Sequence, residues 1–128
     1  MFVETLAKED ARRPRMDMGL GVWTATSRRY YPVERIRERG EAFIDRLDGK
    51  PVLIYLEQGT ATPAALFVDA RSARLQGNEI RLDTGAVVRS GLLFDSKGKR
   101  QTEQRPQQIF TRWYGFALTF PETEVFGQ

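Results

Sequence analysis

The chain has 128 residues, 41% of them hydrophobic and 29% charged, with a formal net charge of +3 and neither Cys nor His. That length sets one domain with room for a sizeable core. The missing Cys and His exclude disulfides, thiolate and imidazole metal sites, Cys nucleophiles and His-based triads, leaving Asp, Glu, Lys, Tyr, Ser and Thr for any chemistry.

The first 18 residues are polar and interrupted by Pro14, which gives a short helix over residues 5–12 or a loose N-terminal arm over residues 1–18. They lack the basic start and apolar stretch of a signal peptide, and no run of about 18 apolar residues follows. The expectation is a protein with no membrane span, cytoplasmic, or exported if the sequence is a processed fragment. Gly19-Leu20-Gly21-Val22-Trp23-Thr24-Ala25-Thr26 follows as a strand. Its glycines do not make a nucleotide fingerprint, because no third glycine comes at the required spacing. Tyr30-Tyr31-Pro32 opens a short helix near 32–39, with Gly40 just past its end and Val33 and Ile36 facing inward.

Two apolar runs, residues 42–47 and 51–56, flank Asp48-Gly49, a strong hairpin signal. The second run is almost continuously apolar, as in a central strand covered on both faces. A loop over 57–63 leads to a buried strand at 64–68. Residues 74–76 and 79–82 form a second hairpin around Gly77-Asn78, with alternating polarity and a wet outer face. Short strands follow at 86–88 and 92–94, then a polar, exposed loop over 95–108. Ile109, Phe110, Trp113, Phe116, Ala117 and Phe120 recur every three to four residues, the mark of an amphipathic helix near 109–120, which Pro121 ends. Val125 and Phe126 return to the sheet. The sum is a single α+β domain over residues 1–128, dominated by an antiparallel or mixed β-sheet.

A rigid sheet holds irregular backbone for function in the loop that follows its central strand. Tyr55, Glu57, Gln58 and Thr60 sit there, and with Trp113 from the last helix they are the candidate ligand-binding residues, forming a small polar pocket between loop and helix. The plainer alternative gives the loop hydroxyls to the backbone and both aromatics to the core. A rival reading takes Arg28, Arg29 and Tyr30, with Lys97, Lys99 and Arg100, as basic patches for single-stranded nucleic acid, gripping phosphates and stacking bases. A further alternative is a carboxylate-based hydrolase using two of Glu57, Asp69, Asp83 and Asp95, although no spacing singles out a pair. No Asp-x-Asp-x-Asp-Gly run marks a Ca²⁺ loop, and no pattern implies a metal or cofactor. An exposed aromatic patch on the last helix would serve as a homodimer surface.

Three stretches carry a family likeness: YYPVERI with the hairpin EAFIDRLDGKPVLIY, then GTATPAALFVDA, then FTRWYGFALTFPETEVFG. In order and spacing, over roughly residues 19–127, they resemble the bacterial domain-of-unknown-function family 3179. The matching residues are Tyr31-Pro32, Asp48-Gly49-Lys50-Pro51-Val52, Gly59-Thr60-Ala61, and Trp113 through Pro121-Glu122-Thr123-Glu124-Val125. The resemblance implies a compact β-rich domain, often in exported proteins of bacteria and archaea, and no established activity. Many members carry Cys-Pro-x-Cys just before the Gly-Thr-Ala, where this chain has Tyr55-Leu56-Glu57-Gln58. The chain would then be a cysteine-free branch without any cysteine chemistry. The resulting expectation is a non-catalytic module that binds a small ligand or a protein.

Overall fold

Successive side chains of a strand point to opposite faces, and in this chain that alternation fills three separate cores. A computed structural model describes residues 10–128. Its strands are β1 (Met18–Trp23), β2 (Arg28–Pro32), β3 (Ala42–Leu47), β4 (Lys50–Leu56), β5 (Pro63–Phe67), β6 (Ala73–Gln76), β7 (Glu79–Leu82), β8 (Val87–Arg89), β9 (Leu92–Phe94), β10 (Gln107–Arg112) and β11 (Glu124–Val125). Its helices are α1 (Val33–Glu38) and α2 (Trp113–Thr119). The strands form three sheets, ordered β10-β1-β2-β11, β3-β4-β5 and β6-β7-β8-β9. The short β11 pairs in parallel with β2, and the other ladders are antiparallel. The α+β class expected from the sequence is the one observed.

The sheets stack in layers. Leu20, Val22 and Tyr31 of the first sheet meet Phe43, Leu47, Val52, Ile54 and Leu56 of the second, with Val33 and Ile36 of α1 in the same core. The far face of the second sheet sends Leu53, Tyr55 and Leu66 against Ile80, Leu82 and Val88 of the third. The outer face of the first sheet carries Tyr30 and Val125 against Trp113, Phe116 and Ala117 of α2. β4 is therefore the central strand its composition implied. Val52 to Leu56 are each at most 1% exposed, alternating between two cores. Gly19 and Gly21 have a packing role. A Cβ at either would overlap the Tyr30 or Phe116 ring lying on β1, so glycine lets the aromatic layer approach the strand backbone.

Three local expectations need correction. The helix expected near 109–120 forms only from Trp113, because residues 107–112 are β10, registered on β1 from Met18↔Arg112 to Trp23↔Gln107. β1 needs a neighbour on that side to satisfy its backbone N–H and C=O groups, and that long-range demand overrides the local spacing. Tyr30-Tyr31-Pro32 is the end of β2 and leads into α1, whose first residue is Val33. β1 stops at Trp23, and residues 24–27 turn back, with the hydroxyls of Thr24, Thr26 and Ser27 all donating to Asp48 in the neighbouring hairpin turn.

The proposed helix over 5–12 falls largely outside the described residues, and residues 10–12 are not helical. Residues 10–17 are docked and do not form a loose arm. The Trp113 indole N–H donates to the Asp10 carbonyl (2.8 Å), Arg112 donates to the Met16 carbonyl, and the buried Arg13 guanidinium pairs with Asp17 and Glu34. A buried indole requires an acceptor, and this segment supplies it.

Several carboxylates are held in their charged form. Arg100 forks onto Glu103, which also accepts the Leu93 N–H, and together these draw the Glu103 carboxyl down to about 2. Asp10 is lowered by Arg12, Asp48 by the Ser27 and Thr24 hydroxyls, and Asp83 by the Arg71 and Ser72 amides. Groups depressed on folding stabilise fully above their unfolded pKa, near 4, and lose that contribution as pH falls through the folded value. The unfolding free energy should therefore decline from about pH 4.5 toward pH 2. In urea titrations across that window, Glu103→Gln should flatten the decline, and an unchanged slope would reject the assignment.

Candidate ligand-binding cleft

The loop after β4 closes on itself. The Glu57 N–H donates to the Thr62 carbonyl, and the Ala61 N–H donates to the Glu57 carbonyl, both at 2.8 Å. Facing it is the turn between β8 and β9, where Ser90 and Gly91 both take left-handed backbone (φ 52° and 76°). Between them opens a cleft of about 560 Å³, with Glu57, Gln58, Thr60, Asn78 and Ser90 supplying polar groups and Leu56, Ile80 and Val88 apolar ones. Tyr55 also lines it, donating its hydroxyl to Glu57 Oε1 (3.3 Å) and accepting from Arg105 Nη1 (3.2 Å). Burial pushes the Tyr55 hydroxyl above its ordinary pKa, so it stays protonated and able to donate.

Arg105 is the clamp behind this arrangement. Beyond Tyr55 it donates to the Ala65 carbonyl (3.0 Å) and to the Gly91 carbonyl (2.8 Å), tying β4, β5 and the β8–β9 turn together. Gly91 suits the left-handed backbone of the turn (φ 76°), and a Cβ there would also sit close, 3.2 Å, to Glu57 Oε1. Gln58 makes longer contacts to Glu41 and to the Leu56 carbonyl, each 3.4 Å, and Thr60 accepts the Thr62 N–H. Among the described residues, Glu57 Oε2 has no hydrogen-bond partner. Another cleft, of about 720 Å³, runs between the β1–β2 turn and the end of α2. Its Thr26 and Ser27 hydroxyls already serve Asp48, and Arg28 lies over the Phe120 ring.

Four of the five candidate ligand-binding residues thus converge, and Trp113 does not join them. It lies in the outer core, edge-on to Tyr30 at 4.9 Å. α2 covers the first sheet, whereas the loop faces the third, so two sheets separate them. Asn78, Ser90, Gly91 and Arg105 were not singled out from the sequence. The Gly77-Asn78 turn was legible, but its place beside Glu57 depends on the third sheet folding over the second. Arg105 lay in a segment expected to be an exposed loop.

Arg29, Tyr30 and Arg100 of the basic patches are engaged within the fold. Arg29 bonds Glu124, Asp45 and the Arg46 carbonyl, and Tyr30 is fully buried with its hydroxyl on the Asp17 carbonyl. Neither is free for phosphate or base. Arg100 is paired with Glu103, whereas Lys97 and Lys99 bond Asp95 Oδ1 only through their backbone amides and keep their side chains exposed. The carboxylates considered for hydrolysis are also dispersed. Asp83 accepts the Arg71 and Ser72 amides, Asp95 caps its own turn, and Glu57 is the one acidic group lining the cleft. Among the described residues there is no cluster of three or more Asp or Glu side chains able to hold a metal ion, and no helix long and apolar enough to cross a membrane.

No family model, curated protein or solved structure matches the chain.

Proposed function

We propose that this domain is a non-catalytic binding module whose cleft takes a small, uncharged, polar ligand. The observation that carries the reading is the convergence of Tyr55, Glu57, Gln58 and Thr60 with Asn78 and Ser90 over an apolar wall, with one oxygen of Glu57 unpartnered among the described residues. Ligand sites combine apolar walls with a few placed polar groups in this way. Glu57 is the one charged side chain lining the cleft, and the Arg105 guanidinium behind Gly91 is turned to the Ala65 and Gly91 carbonyls, so the opening disfavours an anion and offers a carboxylate acceptor to hydroxyl or amide donors. Amide, hydroxyl and carboxylate side chains around the opening suit a ligand rich in hydroxyl or amide groups. The same reading keeps the chain as a cysteine-free relative of family 3179. Its Tyr55-Leu56-Glu57-Gln58, standing where many members have Cys-Pro-x-Cys, all line the cleft.

The test is saturation-transfer NMR against a panel of neutral mono- and disaccharides, polyols and nucleosides, followed by titration of any hit. Glu57→Gln should weaken binding about tenfold, the loss of roughly one charge-assisted hydrogen bond. Affinity should change little between about 0.05 and 0.5 M salt, whereas a nucleic-acid site would lose affinity steeply over that range. A hit unaffected by Glu57→Gln would place the ligand elsewhere and overturn the assignment.

A further inference from the structure

We infer that the open edge of β10 is a pairing surface for a second copy of this chain, through an antiparallel seam centred on Phe110. β10 is the edge strand of the first sheet. The Trp113 N–H donates to the Asp17 carbonyl directly opposite it. Hydrogen-bonded pairs alternate along an antiparallel ladder, so residues 107, 109 and 111 aim their backbone groups at β1. The N–H and C=O groups of Gln108, Phe110 and Arg112 therefore face outward. Among the described residues no strand lies on that side.

Proteins blunt such edges with charges, Pro, bulges or covering segments, and this protein does so elsewhere. The outer edge of β5 is covered. The Phe67 N–H donates to the Gln104 carbonyl, and the Gln108 side-chain amide both accepts from the Ala65 N–H (2.8 Å) and donates to the Ala65 carbonyl (3.0 Å). Among the described residues β10 has no such protection. Gln107 to Thr111 include no charged residue and no Pro, and Ile109 and Phe110, on opposite faces, are 49% and 43% exposed.

The strand is complementary to itself, which identifies the occupant. A two-fold axis through Phe110 sets Phe110 against its copy, Ile109 against Thr111, and Gln108 against Arg112 of the second chain. This register engages every outward-facing N–H and C=O of the strand. It also places Arg112, the one charge in β10, opposite a neutral amide. Shifting the axis to Ile109 puts Arg112 opposite Pro106, which has no N–H to give. Shifting it to Arg112 sets arginine against arginine. Stacked phenylalanines on the axis would cover the apolar surface the lone chain leaves in water.

Light scattering after size exclusion, over a range of concentrations, reads the outcome directly. The expected result is a dimer whose Phe110 and Arg112 amides are protected from hydrogen exchange only at concentrations where it forms. Phe110→Pro removes one outward N–H and no bond to β1, so it should raise the dimer dissociation constant at least about tenfold while near-ultraviolet circular dichroism keeps its native form. Phe110→Lys should do the same by placing like charges on the axis. A chain monomeric at every concentration overturns the proposal, whether those amides exchange freely (an edge left for some other protein) or are protected (an edge covered by the same chain). A dimer that survives both substitutions overturns it as well.

Discussion

Replacing Trp113 by Ala should lower the unfolding free energy by about 3–5 kcal/mol, the range for truncating a buried large aromatic. Trp113 is fully buried at the start of α2, edge-on to Tyr30, with the Arg12 guanidinium 5.4 Å from its ring centre. Its loss would leave a cavity between α2 and the first sheet and deprive the Asp10 carbonyl of its donor. Against a total stability of roughly 5–15 kcal/mol for a domain of this kind, that is a large share. Trp113→Phe would refill most of the space but still orphan Asp10, so its cost should be smaller, about 1–3 kcal/mol. Urea unfolding followed by the remaining indole, Trp23, measures both, because Trp23 contacts the same aromatic layer through Phe116 and Phe120. A cost under about 1 kcal/mol for Trp113→Ala would mean α2 contributes little to the domain.

The second large effect is expected at Asp45. The fully buried Tyr31 donates its hydroxyl to Asp45 Oδ2 (2.8 Å), and Arg29 donates to the same oxygen (2.9 Å). Burial drives the Tyr31 hydroxyl well above its usual pKa, so it remains a donor throughout the neutral range. Asp45→Ala strands that donor between the first two sheets and should cost about 1–3 kcal/mol. Asp45→Asn keeps an acceptor for Tyr31 and loses the charge facing Arg29, so it should cost less. Combining Asp45→Ala with Tyr31→Phe should recover part of the loss, since no unsatisfied hydroxyl is then left in the core. Additive losses in that double mutant would show that the hydroxyl is not what Asp45 satisfies.

The same cluster shows how far local reasoning reaches. Alternation and turn chemistry located the β3–β4 and β6–β7 hairpins, the central strand and the short strands of the third sheet, because those signals lie within a few residues of one another. The loop after β4 was legible for the same reason: a buried strand followed by Glu57, Gln58 and Gly59 must emerge at a sheet's end. Arg29 and Tyr30 looked like a binding patch because nothing local says that Asp45 and Glu124 neutralise one and α2 covers the other. β10 was mistaken for helix on the same grounds. Its partner β1 lies some ninety positions earlier, and a window of a dozen residues contains no trace of it. Arg105 escaped notice because its ligands, the Ala65 and Gly91 carbonyls and the Tyr55 hydroxyl, come from three separate elements.

Gln108 makes the junction between the first and second sheets depend on the chemistry of one side-chain amide. Its side-chain amide imitates a peptide unit, with one acceptor and one donor matched to the N–H and C=O of Ala65. Glutamine amides hydrolyse slowly to carboxylates, and at this position the product would keep the acceptor while setting an anionic oxygen against the Ala65 carbonyl. Two acceptors would then face each other where a donor and an acceptor had met. Hydrolysis of this one amide would thus open the seam along β5 without removing a side chain from any of the three cores.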